Sequence, residues 1–180
     1  MIEFLYNRND SHSKELKNLI PISEKIVLCA AYWRANGLSK ISRELVKAAK
    51  QTNVKISIFV GLDEKITEKG ALDKLLKISN VFDNVEVNAC WMQRYTKGPI
   101  FHSKVFYFND GKEFTTIVGS ANLTKNGLDH NSESSIKHSD YINTEFDLKM
   151  LKYFVELREA SYTYTLSSSL IDEYKSWKKD

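Results

Sequence analysis

The chain has 180 residues, 42% of them hydrophobic and 12% aromatic, which is enough for one domain with a substantial core and too short for two ordinary ones. Its 26 basic and 23 acidic residues give a net charge of +3, permitting a polyanionic partner without demanding one, and no long basic tail is present. The start, MIEFLYNRND, lacks the basic lead and apolar stretch of a signal peptide, and no uncharged run is long enough to span a bilayer, so a soluble protein without membrane contact is expected.

Taken in order, IEFLYN reads as a short strand and SHSKELKNLIPIS as a helix interrupted at Pro21. KIVLCAAYW reads as a buried strand ending at the Arg34-Ala35-Asn36-Gly37 loop. LSKISRELVKAAKQT carries a helical stripe of Leu38, Ile41, Leu45, Val46 and Ala49, and the β-branched VKISIFVGL follows as a strand. ALDKLLKISNVF and VEVNACWM form a second such unit. Then come the strand FHSKVFYF, a turn at Asn109-Asp110-Gly111, the strand FTTIVGSAN, a short helix around residues 123–128 and a strand in NSESSIKHS. From Asn143 to Lys179 the pattern is aromatic-rich and helical, without Gly or Pro. Alternating units followed by consecutive strands predict a single α/β domain over residues 1–180, a mixed central sheet flanked by helices. Cys29 and Cys90 lie in apolar strand-like runs, which favours buried reduced thiols and a cytoplasmic setting over a disulfide or zinc framework.

The chemistry gathers between His102 and Glu133. In an extended chain alternate residues share a face, so His102 and Lys104 project together at the mouth of a core strand whose other positions on that face are Phe106 and Phe108. Placing two potential cations there is costly unless an anion meets them. Ser120 and Asn122 share a face after Val118, and Asn131 and Glu133 share another. If these strand ends meet, the pocket holds an imidazole nucleophile, a fixed cation, two neutral hydrogen-bonding groups and a carboxylate, a set suited to a phosphodiester. Glu133 on the far ring nitrogen of His102 would fix its tautomer. Each residue also has a structural reading: a strand histidine, a lysine reaching solvent, a Gly-Ser-Ala-Asn turn capping a helix, a surface glutamate. His12, His130 and His138 read as surface residues, and no histidine belongs to a metal-ligand cluster.

His102-Ser103-Lys104, Gly119-Ser120-Ala121-Asn122 and Glu133 resemble the HxK...GSxN...E signature of the phospholipase D superfamily, particularly its nuclease branch and the domains of metal-independent restriction endonucleases. The resemblance is strong over residues 55–137. It departs at Asn109, where the family's usual acid would stand five residues after the lysine. It implies attack by His102 on phosphorus to give a phosphohistidine, with a second histidine as general acid, and no metal or other cofactor. One motif per chain implies a homodimer with a shared site and a bell-shaped pH profile. Nucleic acid, with DNA favoured, is the expected substrate, and Trp33, Arg34, Arg94 and Lys97 near strand ends are candidate contacts, although Trp33 fits a core role equally well. The resemblance suggests a cleavage module of a restriction or defence system, with base readout on a separate specificity or helicase partner. Phospholipid hydrolysis or phosphatidyl transfer, and a catalytically weak nucleic-acid-binding module, are the alternatives.

Overall fold

The computed structural model describes residues 1–8 and 11–177. Eight strands, β1 (Ile2–Tyr6), β2 (Lys25–Ala30), β3 (Lys55–Gly61), β4 (Val85–Cys90), β5 (Lys104–Asn109), β6 (Glu113–Gly119), β7 (Ser134–Tyr141) and β8 (Thr163–Thr165), form one mixed sheet in the order β1-β7-β6-β5-β2-β3-β4-β8. β2, β3 and β4 run parallel, and every other pairing is antiparallel. The helices are α1 (His12–Leu19), α2 (Ala35–Ala49), α3 (Lys69–Val81), α4 (Glu145–Glu159) and α5 (Ser168–Ser176). Side-chain oxygens of Ser11, Thr144 and Ser167 cap α1, α4 and α5 by accepting from backbone N–H groups of their first turns.

The two faces of the sheet are covered unequally. On one, the stripe Leu38, Ile41, Leu45, Ala48 and Ala49 of α2 packs with Leu16, Leu72, Leu75, Leu170 and Ile171 of the neighbouring helices over Ile26, Leu28, Ile56, Ile58 and Phe106. On the other, α4 alone lays Phe154 and Leu157 against Val27, Cys29, Phe59, Tyr107 and Phe114. Strands buried on both faces need apolar residues at every position, which explains the unbroken run in β2.

The antiparallel order fixes where the motifs go. Ala30 of β2 pairs with Lys104 of β5, Val105 pairs with Val118 of β6, and Gly119 pairs with Ser135 of β7. The end of β2, the start of β5, the end of β6 and the start of β7 therefore meet at one edge of the sheet.

Three details differ from the sequence pattern. β5 begins at Lys104, so Phe101, His102 and Ser103 form an extended lead-in outside the strand ladder. The short helix predicted at residues 123–128 is a single π-type turn at Asn126–His130, because Leu123 is drawn into a parallel bridge with Trp33. The C-terminal helical pattern is broken by β8, where Thr163, Tyr164 and Thr165 pair with β4 as an edge strand, as a β-branched and aromatic triplet favours. Residues 178 and 179 of that pattern lie outside the described residues. Asn109, at the opposite end of β5 from Lys104 and roughly 17 Å from it at strand rise, donates to the Tyr107 hydroxyl at 3.3 Å and accepts from Gly111 N at 2.7 Å. The residue where an acid was expected thus shapes the turn and takes no part in the site.

Candidate active site

His102 is exposed, but the backbone on either side of it is anchored. Phe101 N donates to the buried Asp63 carboxylate at 2.8 Å, and the Ser103 hydroxyl is hydrogen-bonded to the Tyr153 hydroxyl of α4 at 2.8 Å. Asp63 also accepts from Gln93 N at 2.7 Å, so a single carboxylate closes the base of the loop that leads from β4 to His102.

Lys104 is only 8% exposed. Its Nζ lies 2.9 Å from His102 Nδ1 and 2.9 Å from the His102 carbonyl oxygen. An ammonium is a donor only, so Nδ1 accepts and the proton of a neutral ring sits on Nε2. Partial burial of the ring and the neighbouring Lys104 cation lower the His102 pKa. Burial likewise lowers the Lys104 pKa, opposed by the Glu133 carboxylate. The Tyr32 ring meets His102 edge-on, with centroids 5.6 Å apart.

Glu133 is not on the far nitrogen of His102. That position is held by Lys104, while Glu133 accepts from Ser120 Oγ at 2.5 Å and from Asn131 Nδ2 at 3.2 Å. Ser120 is locked in register with the start of β7, its N donating to the Ser134 carbonyl and its Oγ accepting from Ser134 N, both at 3.1 Å. Asn122 has turned away from Ser120: its Oδ1 accepts from Tyr32 N at 3.0 Å, leaving the Nδ2 donors for a ligand. These close approaches require glycine. A Cβ on Gly119 would lie 2.1 Å from Ser135 Oγ, and one on Gly37 would lie 2.3 Å from the Leu123 carbonyl oxygen.

Beneath this edge lies a cluster that sequence reasoning missed. His12, read as a surface residue, is fully buried. Its Nδ1 lies 2.6 Å from Asn7 Oδ1, and its Nε2 lies 2.8 Å from Ser135 Oγ. An amide oxygen can only accept, so Nδ1 carries the proton and Nε2 accepts from serine, the neutral tautomer that a pKa lowered by burial also favours. Asn7 Nδ2 donates to the carbonyls of Gly127 and Asn131 at 2.9 and 3.1 Å, pinning the segment that carries Glu133. The Ser-His-Ser spacing at the start of α1 was the available signal: a capping serine places the next residue on the first helical turn, here facing the sheet.

The candidate substrate contacts divide. Trp33 has no exposed surface and donates from Nε1 to the Ala30 carbonyl at 3.0 Å, so it fills the core and is not a stacking platform. Arg94 is bound to Glu173 at 2.8 and 2.5 Å and lies over the Tyr164 ring, fastening the β4 end to α5 three strands from β5. Arg34 and Lys97 are exposed, Arg34 beside Asn122 and Lys97 in the loop that leads to His102. Among the described residues no group of three or more His, Cys, Asp or Glu side chains is arranged to hold a metal ion.

A family model described as cardiolipin synthase, phospholipase D-like domain, matches residues 16–158, and the chain belongs to that phospholipase D-like family. NucT from Helicobacter pylori superposes with a TM-score of 0.65 at 20% identity, covering 92% of this chain and 98% of that one. Nuc from Salmonella typhimurium, a phospholipase D family member, gives 0.66 at 20% identity with the same coverage. Phosphatidylserine synthase from Haemophilus influenzae Rd KW20 gives 0.65 at 13% identity over 99% of this chain but 41% of its own. No curated protein matches the sequence. At these identities the likeness is one of fold, and its whole-chain extent agrees with the nuclease-branch resemblance of the motif. Among the described residues no helix is long and apolar enough to cross a membrane.

Proposed function

We propose that this chain is a metal-independent phosphodiesterase that cleaves nucleic acid, DNA foremost, through a phosphohistidine on His102, in a site completed by a second copy. The observation that carries the reading is the convergence of His102, Lys104, the free amide of Asn122 and the Ser120–Glu133 pair at one edge of the sheet. A phosphate entering here draws Lys104 Nζ from Nδ1 to a non-bridging oxygen. That frees Nδ1 to take the ring proton and exposes the Nε2 lone pair for attack. The N–P bond forms as the P–O bond to the leaving group breaks, and an imidazolium protonates the leaving oxygen. The same imidazole, now neutral, takes a proton from water; the water oxygen bonds to phosphorus and the N–P bond breaks. Lys104 and Asn122 neutralise charge as phosphorus becomes five-coordinate.

The acid must be a second imidazole, and His12 is buried behind Ser135, so a partner's His102 is the natural source. The thinly covered face of the sheet supports such pairing. Phe4, Ile136 and Val118 form an exposed apolar row across β1, β7 and β6, and Phe146, Leu148 and Val155 are exposed on α4, which covers the same face. Exposed Arg34, Lys97 and Lys125 near the site favour a polyanion. The buried thiols of Cys29 and Cys90 suit a reducing, cytoplasmic setting. A cleavage role in a restriction or defence system, with specificity supplied by a separate partner or helicase, rests on the sequence resemblance.

Phosphatidyl transfer or phospholipid hydrolysis is the second reading, favoured by the cardiolipin synthase description of the matching family model. Plasmid, single-stranded DNA, RNA and phospholipid, each incubated in excess EDTA, separate the two. Cleavage of DNA is expected; turnover of phospholipid alone overturns the nuclease reading.

A further inference from the structure

Beside Asn122 and Glu133 a cleft of about 260 Å³ opens toward the start of α2. Exposed Arg34 and Lys125 stand on its walls, and Tyr32 and Ile66 give it an apolar side. Asn36 and Asn126 add amides. Asn36 Oδ1 accepts from Lys125 N at 3.3 Å, which turns its Nδ2 donors away from that bond. Glu68 forms a loose, half-exposed ion pair with Arg34, one oxygen accepting from Ala35 N at 2.9 Å and the other standing 3.8 Å from Arg34 Nε, a pairing that a phosphate can compete with. An exposed apolar isoleucine facing two cations and two amides matches the parts of a nucleotide, namely a charged phosphate, polar edges and a flat apolar face.

We propose that this cleft is a subsite for one unpaired nucleotide adjacent to the scissile phosphate. Arg34 and Lys125 take its phosphate, Asn36 and Asn126 its polar edges, and Tyr32 with Ile66 the face of its base or sugar. The cleft is continuous with Asn122 and Glu133, so a strand whose phosphate sits on Lys104 runs directly into it. The apolar side formed by Tyr32 and Ile66 asks for a base face that an unpaired nucleotide presents and a stacked base pair does not, which makes the preferred substrate single-stranded. The inference deepens the nuclease reading and rests on it.

The test measures binding of a fluorescein-labelled single-stranded oligonucleotide, and of the same sequence as a duplex, to the His102→Ala protein at several salt concentrations. The single strand is expected to bind at least tenfold more tightly than the duplex. Adding Lys125→Ala or Arg34→Ala should weaken single-strand binding about tenfold and flatten the slope of log affinity against log salt by about 0.7 for each cation lost. Lys125→Arg should restore the slope, which a merely structural role would not predict. Equal affinity for duplex and single strand, or unchanged slopes in both alanine variants, overturns the subsite while leaving the nuclease reading intact. If the unsubstituted protein hydrolyses bis(p-nitrophenyl) phosphate but cleaves no polynucleotide, the nuclease reading itself fails and takes the subsite with it.

Discussion

Two histidines at the same end of the sheet have opposite environments. His102 is exposed on a segment anchored at both sides, its Nδ1 held by a cation. His12 is buried, with both ring nitrogens bonded to neutral groups. Neutral partners on both sides leave a histidine nothing to do but hold its neighbours in place. A charged partner that a phosphate can draw away leaves one ready to react. The difference lies in whether the group bonded to the ring can be drawn away, a property that neither residue type nor exposure alone reports.

That contrast gives four expectations, in decreasing size. Replacing His102 by Ala should lower phosphodiester hydrolysis by about 10⁴-fold or more and leave the thermal midpoint near its original value; a small loss would return His102 to the class of His12. Replacing the buried Lys104 by Met should lower kcat by about 10²- to 10³-fold and raise stability by about 1 kcal/mol, because a desolvated ammonium is removed from the strand mouth. A fall in stability with kcat retained would make the lysine structural.

His12→Ala should behave the other way. Losing the bridge leaves Ser135 Oγ without its acceptor and Asn7 Oδ1 with only the backbone N–H of residue 12, and should cost about 2 to 3 kcal/mol in a denaturant titration, with a smaller loss of kcat through the segment carrying Glu133. The last expectation is the subtlest. Burial lowers the His12 pKa in the folded protein, so both states are neutral above the ordinary histidine value of about 6.5. As pH falls through that value the unfolded chain takes up the proton first, and stability should drop. His12→Gln should remove that part of the acid sensitivity; an unchanged pH dependence would show that His12 is already solvated.

Much of this was legible in the sequence. The alternation of HSKVFYF put His102 and Lys104 on one side of a strand with Phe106 and Phe108, and the antiparallel order then had to bring the GSAN and NSE segments beside them. What was hidden depended on long-range partners. His12 sits in a polar stretch, and only the pairing of β1 with β7 brings Ser135 over it. Glu133 was expected at the histidine, but within the protomer Ser120 and Asn131 reach it first, while the local Lys104 captures Nδ1. β8 was masked because three residues carry too short an alternation to stand out from a helical pattern, and its pairing with β4 is a tertiary choice.

The central claim, two His102 rings acting in one shared site, is tested most directly by mixing. Unsubstituted protein and the His102→Ala protein are refolded together in varying ratios, and hydrolysis of bis(p-nitrophenyl) phosphate is followed in excess EDTA. A site that needs both rings predicts activity that persists in EDTA and falls with the square of the unsubstituted fraction, to about a quarter at an equal mixture. Activity proportional to that fraction, about half at an equal mixture, or abolished by EDTA and restored by magnesium, would contradict it.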